Sequence, residues 1–361
     1  MRDIFPDLTR WVERDEPIAL ATVIRTWGSS PRGVGAKMAL TPGGKITGSV
    51  SGGCVEGAVA EAGTQVLKTG QPQLLHFGVA DETAWQVGLA CGGSIDVYVN
   101  RLDHDLFEIL RMGMQEARPM VVATVVRGPD PLLGEQMVLT KEGKIYGSLS
   151  SPYENQVLAG AEAALAKGRA KSLRLERHGE EPVEIFADVL LPPPALVMVG
   201  GVHIAIALTS IARTLGYRSV IVDPRRAFGS PERFSHGDEL IQAWPDEAFS
   251  RIELTENTAV VMLTHDPKID DPALKIVLNS PVFYIGVLGS RNTHAKRRIR
   301  LLEAGISEPQ LARLHAPIGL DIGGDTPEEI ALAVMAEIVA ARNAQNPQVE
   351  SVPEQSPLRS T

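Results

Sequence analysis

Cysteine is nearly absent, with two residues, Cys54 and Cys91, in a chain of 361. So few exclude a disulfide-built fold and suit a reducing cytoplasm, with a single Cys54–Cys91 bridge left open. Long apolar runs are missing too. No stretch approaches the ~18 residues that cross a bilayer, so no membrane span is expected. The opening "MRDIFPDLTRWVERDEP" lacks the apolar centre of a secretion signal. Positive charge is also in deficit. A formal net charge of −9 speaks against a general nucleic-acid binder. The basic cluster Arg297 to Arg300 reads as one solvated helix face. Metal-ligand spacing is absent as well, since there is no CxxC pair and the histidines are scattered.

What is present is order along the chain. Ile4, Leu8, Trp11 and Val12 fall on one helical face. Pro192, Pro193 and Pro194 make a stiff spacer that divides the chain. Before it, residues 1–191 mix strands and helices as an α+β domain. After it, apolar strands alternate with helical patterns over 195–342, the mark of a Rossmann-like, doubly wound parallel sheet in an α/β protein. Residues 343–361 are polar and proline-bearing, and are expected to be a disordered tail.

The first domain contains an internal duplication. Ala21-Thr22-Val23 answers Ala123-Thr124-Val125, and Gly44-Lys45-Ile46 answers Gly143-Lys144-Ile145. Gly48-Ser49-Val50-Ser51 answers Gly147-Ser148-Leu149-Ser150. The pattern predicts two strands leading into a helix in each copy, over 55–68 and 154–167. The copies part at one place, where Gly52-Gly53-Cys54-Val55-Glu56 becomes Ser151-Pro152-Tyr153-Glu154-Asn155. The second copy keeps the scaffold and discards the thiol and the glycines, which favours a ligand-directed role for that loop over a packing role.

Cys54 falls at the predicted helix start, where unpaired amides and the helix dipole favour a thiolate. Gly52 and Gly53 would let backbone amides approach an anion. Cys91 precedes Gly92 and Gly93, a similarly open setting. The plain alternative makes each cysteine a small buried apolar residue. Arg32 and Lys37 lie in a second glycine-rich stretch, either contacting an anion or exposed on a hairpin.

In the second domain, "LVMVGGVHIA" reads strand, glycine turn, helix. Asp223 follows Gly200 by 23 residues, near the offset of a ribose-binding acid. Val202 stands where the fingerprint wants its second glycine. His203 either replaces that contact with a side chain or caps the helix. His265 and Asp266, and then Ser290 and Arg291, follow two further apolar strands and are expected to rim one crevice. Thr326, Pro327 and Glu329 predict a capped helix start.

The motifs "GSVSGGCVE", "CGG", "THDPKIDDPAL", "GVLGSR" and "PIGLDIGGDTPEEIA" together resemble the XdhC/CoxI family. These are accessory proteins that mature xanthine dehydrogenase and related molybdenum hydroxylases, and the likeness runs from about Leu20 to Ala340. The resemblance implies a chaperone with no catalytic residues of its own. It would bind molybdenum cofactor (molybdopterin), shield it during sulfuration and deliver it to the apo-hydroxylase. Cys54 and Cys91 would contact the metal or its exchangeable sulfur, beside Gly52, Gly53, Glu56 and Gly92. Gly200, His203, Asp223, His265, Asp266, Ser290 and Arg291 would hold a nucleotide portion of the cofactor, a nicotinamide nucleotide, or only the partner. A cysteine desulfurase and a second copy of the chain are further expected partners. The competing readings are an NAD(P)-dependent oxidoreductase, which Val202 weakens, and a docking adaptor, which the thiol at the helix start weakens.

Overall fold

The computed structural model describes residue 1 and residues 3–53, 55–78, 93–149, 153–176 and 181–345. The chain forms two compact units, Met1–Pro192 and Pro193–Thr361.

The first unit is the same motif built twice. The first copy runs α1 (Phe5–Val12), β1 (Ala19–Trp27), β2 (Lys37–Leu40), β3 (Ile46–Gly48), α2 (Glu56–Thr69), β4 (Gln73–Phe77) and β5 (Ser94–Arg101). The second runs α3 (His104–Gln115), β6 (Met120–Arg127), β7 (Gln136–Thr140), β8 (Ile145–Gly147), α4 (Glu154–Lys167), β9 (Lys171–Leu175) and β10 (Val183–Leu190). Each copy folds into a five-stranded antiparallel sheet, in the orders β3-β2-β1-β5-β4 and β8-β7-β6-β10-β9.

Local chemistry accounts for the likeness. α2 buries Val59, Ala62, Gly63 and Val66, one stripe at helical spacing. A β-carbon on Gly63 would lie 2.5 Å from a Leu40 methyl, so glycine there sets how closely the helix lies on its sheet. Gly48 and Gly147 share a φ of 75°. A β-carbon there would meet the Lys37 carbonyl oxygen at 2.3 Å and that of Gln136 at 2.7 Å. The glycine kept in both copies is therefore required by the backbone.

The copies face each other about an approximate twofold axis. Both central strand pairs carry a bulge at the same place, skipping Ile24 in one copy and Val126 in the other. Ile24 and Val126 pack with Tyr98 and Phe186 in one buried cluster, and the Tyr98 hydroxyl donates to the Val125 carbonyl at 3.1 Å. Lys37 is buried here, with its Nζ 2.7 Å from Asp188 Oδ2 and donating to Thr22 Oγ1 at 2.9 Å. At the equivalent position Gln136 Nε2 donates to Thr124 Oγ1, also at 2.9 Å. The cavity beside these groups is about 40 Å³, room for a water or two and for nothing larger.

The second unit runs β11 (Ala195–Val199), α5 (His203–Thr214), β12 (Arg218–Val222), β13 (Glu239–Ile241), α6 (Pro245–Phe249), β14 (Thr258–Met262), α7 (Pro267–Val277), β15 (Tyr284–Val287), α8 (Arg291–Glu303), α9 (Glu308–Leu311), β16 (Leu314–His315) and α10 (Pro327–Gln345). Its sheet is wholly parallel, in the order β13-β12-β11-β14-β15-β16. That is the strand order of dinucleotide-binding folds. Alternate residues of β11 serve opposite faces. Leu196 and Met198 pack with α5 and α10, while Val197 and Val199 pack with α6 to α9. Burial on both sides explains why the central strands are mostly apolar, as in the run Ala195–Val199. Thr326 and Glu329 form the expected reciprocal cap at the start of α10. Among the described residues no helix is long and apolar enough to cross a membrane.

Candidate functional site

The glycine-rich loop of the first unit closes on its own carboxylate. Glu56, the first residue of α2, reaches back into residues 49–53. Its Oε1 accepts from Ser49 Oγ at 2.6 Å and from the amides of Val50, Ser51 and Gly52 at 3.2, 2.9 and 3.0 Å. Its Oε2 accepts from Ser51 Oγ at 2.7 Å and the Gly53 amide at 2.8 Å. Burial works to raise the carboxyl's pKa, yet the donors from Ser49 and Ser51 outweigh it and hold Glu56 down at about 2. The expectation that the amides of Gly52 and Gly53 are open to a phosphate is thereby corrected, because they form a nest already filled by Glu56. Gly52 and Gly53 have φ of 84° and 123°, so the loop needs glycine to turn its amides inward.

Glu56→Gln should therefore loosen this loop rather than the sheet. We expect a loss of about 1–2 kcal/mol, reduced from the full shift because the carboxyl is partly exposed. Amide exchange at Ser51 to Gly53 should quicken. Since the folded value lies below the ordinary 4.5, the contribution is complete above about pH 4.5 and lost as pH falls through about 2. Hydrogen exchange of both forms between pH 3 and 7 checks this.

Cys54, Cys91 and Gly92 lie outside the described residues. Their described neighbours touch a common segment. A β-carbon on Gly52 would lie 3.8 Å from Pro31 Cβ, and one on Gly93 would lie 2.3 Å from the Ser29 carbonyl and 2.6 Å from that of Trp27. The glycines flanking the two cysteine positions thus border one segment, Trp27 to Pro31. Lys37, read as an anion contact or an exposed hairpin charge, is neither, because the Asp188 pair takes it inside the unit. Arg32 is half-exposed and pairs with Asp3 at 3.0 Å.

In the second unit the strand ends gather as the topology requires, but the glycine turn is closed. A β-carbon on Gly200 would lie 2.6 Å from Thr264 Cγ2, and one on Gly201 would lie 2.5 Å from the Phe228 carbonyl oxygen. Glycine is required at both positions for the turn to pack on its own chain, and the Gly201 amide donates to Asp223. Asp223, expected as a ribose ligand, is fully buried. Its Oδ2 accepts from the Gly201 amide and Arg225 Nη2, each at 2.8 Å. Its Oδ1 accepts from the Arg225 amide and Nε, each at 2.9 Å. Burial opposes ionisation, but these donors hold its pKa below the usual carboxylate range. Arg225 lies over the Phe228 ring, 4.2 Å from its centroid. Two of the expected dinucleotide contacts, the Gly201 amide and the Asp223 carboxylate, are thus engaged within the chain.

The remaining predicted residues divide. His203 is exposed at the first position of α5 and is not its cap, which is Val202. Asp266 caps α7 by accepting from the Lys268 amide at 2.9 Å. Ser290 caps α8 by accepting from the Thr293 amide at 3.2 Å, and Arg291 is exposed beside it. His265 is exposed with a φ of 62°, a left-handed backbone uncommon for non-glycine residues, although histidine is among those that adopt it more readily.

Sequence reasoning missed the layer beneath. Thr264 Oγ1 donates to Asp270 Oδ1 at 2.5 Å, and Arg297 Nη2 lies 3.4 Å from Asp270 Oδ2. Asp270 and Arg297 are 1% and 2% exposed. The solvated-face reading of Arg297 to Arg300 is therefore wrong for Arg297. Arg300 is bound to Asp271 at 2.7 Å. Asp270 could have been found from the sequence, since it sits among Ile269, Ala273 and Leu274 on the inner stripe of α7. No cluster of three or more potential metal ligands occurs among the described residues.

Comparison with known proteins agrees with this architecture. A family model described as the XdhC Rossmann domain matches residues 196–338, and one described as the XdhC and CoxI family matches residues 11–78 and 114–178. Those last two stretches fall one on each copy of the duplicated motif. The chain is 27% identical, over 92% of its length and 95% of the relative's, to a Bacillus subtilis protein named as a probable subunit of xanthine dehydrogenase. It is 25% identical, over 90% of its length and 83% of the relative's, to the molybdenum cofactor insertion chaperone PaoD of Escherichia coli. A crystal structure named as a xanthine dehydrogenase, from Bacillus halodurans, has the same fold. Its TM-score is 0.77 at 23% identity, covering 97% of this chain and 98% of that one. On its duplicated first unit, its parallel second unit and these matches, the chain belongs to the XdhC/CoxI family.

Proposed function

We propose that this protein is a molybdenum cofactor chaperone for a xanthine dehydrogenase-type hydroxylase. It would hold the cofactor while its sulfido ligand is installed, then deliver it. One observation carries the reading, which is that the glycines flanking Cys54 and Cys91 border the same segment, Trp27 to Pro31. Thiols are soft ligands suited to molybdenum or to its exchangeable sulfur, and two on one ligand would suit it better than one. Glu56 supports them by fixing the loop that carries Cys54. The names of the Escherichia coli and Bacillus subtilis relatives point the same way. Apo-hydroxylase, a cysteine desulfurase and a second copy of the chain are the proposed partners, in the cytoplasm. The oxidoreductase reading has little support, because the glycine turn and Asp223 are engaged by Phe228 and Arg225.

Loading tests this directly. Purified protein and its Cys54→Ser and Cys91→Ser variants are incubated with molybdenum cofactor and passed over a sizing column. Molybdenum and pterin should co-elute with the parent, and retention should fall at least about tenfold in Cys54→Ser, as for loss of a metal ligand. Equal retention by parent and both variants would remove the thiols from the site. No retention by any of them would favour an adaptor.

A further inference from the structure

Arg297 poses a physical problem. It lies two turns into α8 and its side chain runs back toward the helix start, as long side chains on helices do. There Nη2 donates to the Leu288 carbonyl at 3.3 Å and approaches Asp270 at 3.4 Å. Nε and Nη1 are buried and have no acceptor among the described residues. Three of the five N–H bonds of a 2% exposed guanidinium are thus left over. Buried donors without acceptors are rare, and such a group calls for an unseen occupant. Asp270 does not supply what is missing, for its shorter hydrogen bond goes to Thr264.

The surroundings indicate the occupant's charge. The guanidinium sits beneath Leu288 to Ser290, at the amino end of the 13-residue α8. Ser290 satisfies only the Thr293 amide, and helix geometry leaves the first amides, of Arg291 and Asn292, without intrahelical acceptors. Between them stands Gly289, half-buried, with a φ of 142°. The position its β-carbon would take lies 3.8 Å from Arg297 Nη1. With glycine here, the approach to the guanidinium is bordered by Thr293, whose Cβ and Cγ2 lie 3.4 Å from that same position. A helix amino end and a buried cation meeting at one glycine form a setting for an oxyanion.

We infer that Arg297, with Gly289 and the amino end of α8, binds a phosphate group at the mouth of β15. This site is separate from the closed glycine turn after β11. It would give the second unit a phosphate anchor although the usual dinucleotide contacts are taken. Phosphomonoesters and diphosphates share the chemistry, and the experiment separates them. The inference does not depend on cofactor loading, because its probes are inorganic.

The full chain, labelled with ¹⁵N-arginine, is titrated with inorganic phosphate and with pyrophosphate. The Nε–H resonance missing from the Arg297→Lys spectrum identifies Arg297. That resonance should move saturably with at least one anion, and the melting temperature should rise with it. Arg297→Lys keeps the charge but loses the planar fork, and should weaken binding about ten- to a hundredfold. Arg300→Gln, on the same helix, should bind as the parent does. Tighter pyrophosphate binding would assign a diphosphate ligand, and tighter phosphate binding a phosphomonoester. An Nε–H resonance that moves with neither anion would overturn the site, as would equal affinity in Arg297→Lys. The rise in melting temperature is read in the parent protein alone, and its absence with both anions would overturn the site even if Arg297→Lys does not fold.

Discussion

Replacing Lys37 by methionine should destabilise the protein by about 3–5 kcal/mol, the usual cost of leaving one buried ion without its partner. Lys37 is 5% exposed and Asp188 is 8% exposed, so neither can turn to water when the other is removed. The charge stranded by Lys37→Met is Asp188, facing the apolar wall of the cavity between the two sheets. Asp188→Leu should cost a similar amount by stranding Lys37. The double variant is the informative one. With both charges gone and the volume roughly kept, stability should return to near the parent value, because desolvating an ion pair consumes most of what its attraction supplies. Urea denaturation of the parent, the two single variants and the double variant closes the cycle. Strictly additive losses would mean that the two groups do not act as a pair.

Asp223→Asn should cost about 2–3 kcal/mol, the second largest effect. The carboxylate takes four hydrogen bonds, two on each oxygen, and three of them come from Arg225. An amide presents one acceptor oxygen and turns its own N–H bonds toward the remaining donors. The loss should fall short of that at Lys37, because the Arg225 side chain is 33% exposed and can move into water. The sign of the pH dependence follows from the depressed pKa of Asp223. Its contribution is complete above the ordinary carboxylate value and disappears as pH falls through the lower folded value. The stability gap between parent and variant should therefore be full at pH 7 and shrink in acid. A gap that widened in acid would remove Asp223 as the ionised partner of Arg225. Nicotinamide nucleotides, if added, should neither stabilise the parent nor distinguish it from the variant.

Much of the architecture was legible because it follows from periodicity. Mostly apolar strands alternating with helical stripes specify a parallel sheet, and the paired Gly48 and Gly147 motifs specify a motif used twice. The sites were less legible because a polar residue's role depends on what reaches it through space. Glu56 looked like a ligand contact, yet it is the internal anion that shapes its own loop. Asp223 stood at the right distance in sequence from Gly200 for a ribose, but Arg225, only two residues on, takes it. Arg297 shares a basic run with Arg298 and Arg300, and only the helix's rotation puts it inside while its neighbours stay out. Lys37 was hidden for the same reason, since its partner lies in the other copy of the motif. Spacing identifies candidates for chemistry, but it does not reveal which of them the fold has already engaged.

The bulge shared by Ile24 and Val126 has an evolutionary consequence. Two like units meeting about a twofold axis through equivalent residues is the arrangement of a symmetric homodimer, in which any substitution appears on both sides at once. Fusion of the two into one chain lifts that constraint. On one side the contact has become the ion pair of Lys37 and Asp188, while the corresponding positions on the other are the neutral Gln136 and Asn100. The same freedom lets the sequence position of Cys54 in one copy be taken in the other by Tyr153, which is buried in the core. The second copy serves as the first one's permanent partner, held to the same fold but free to differ from it residue by residue.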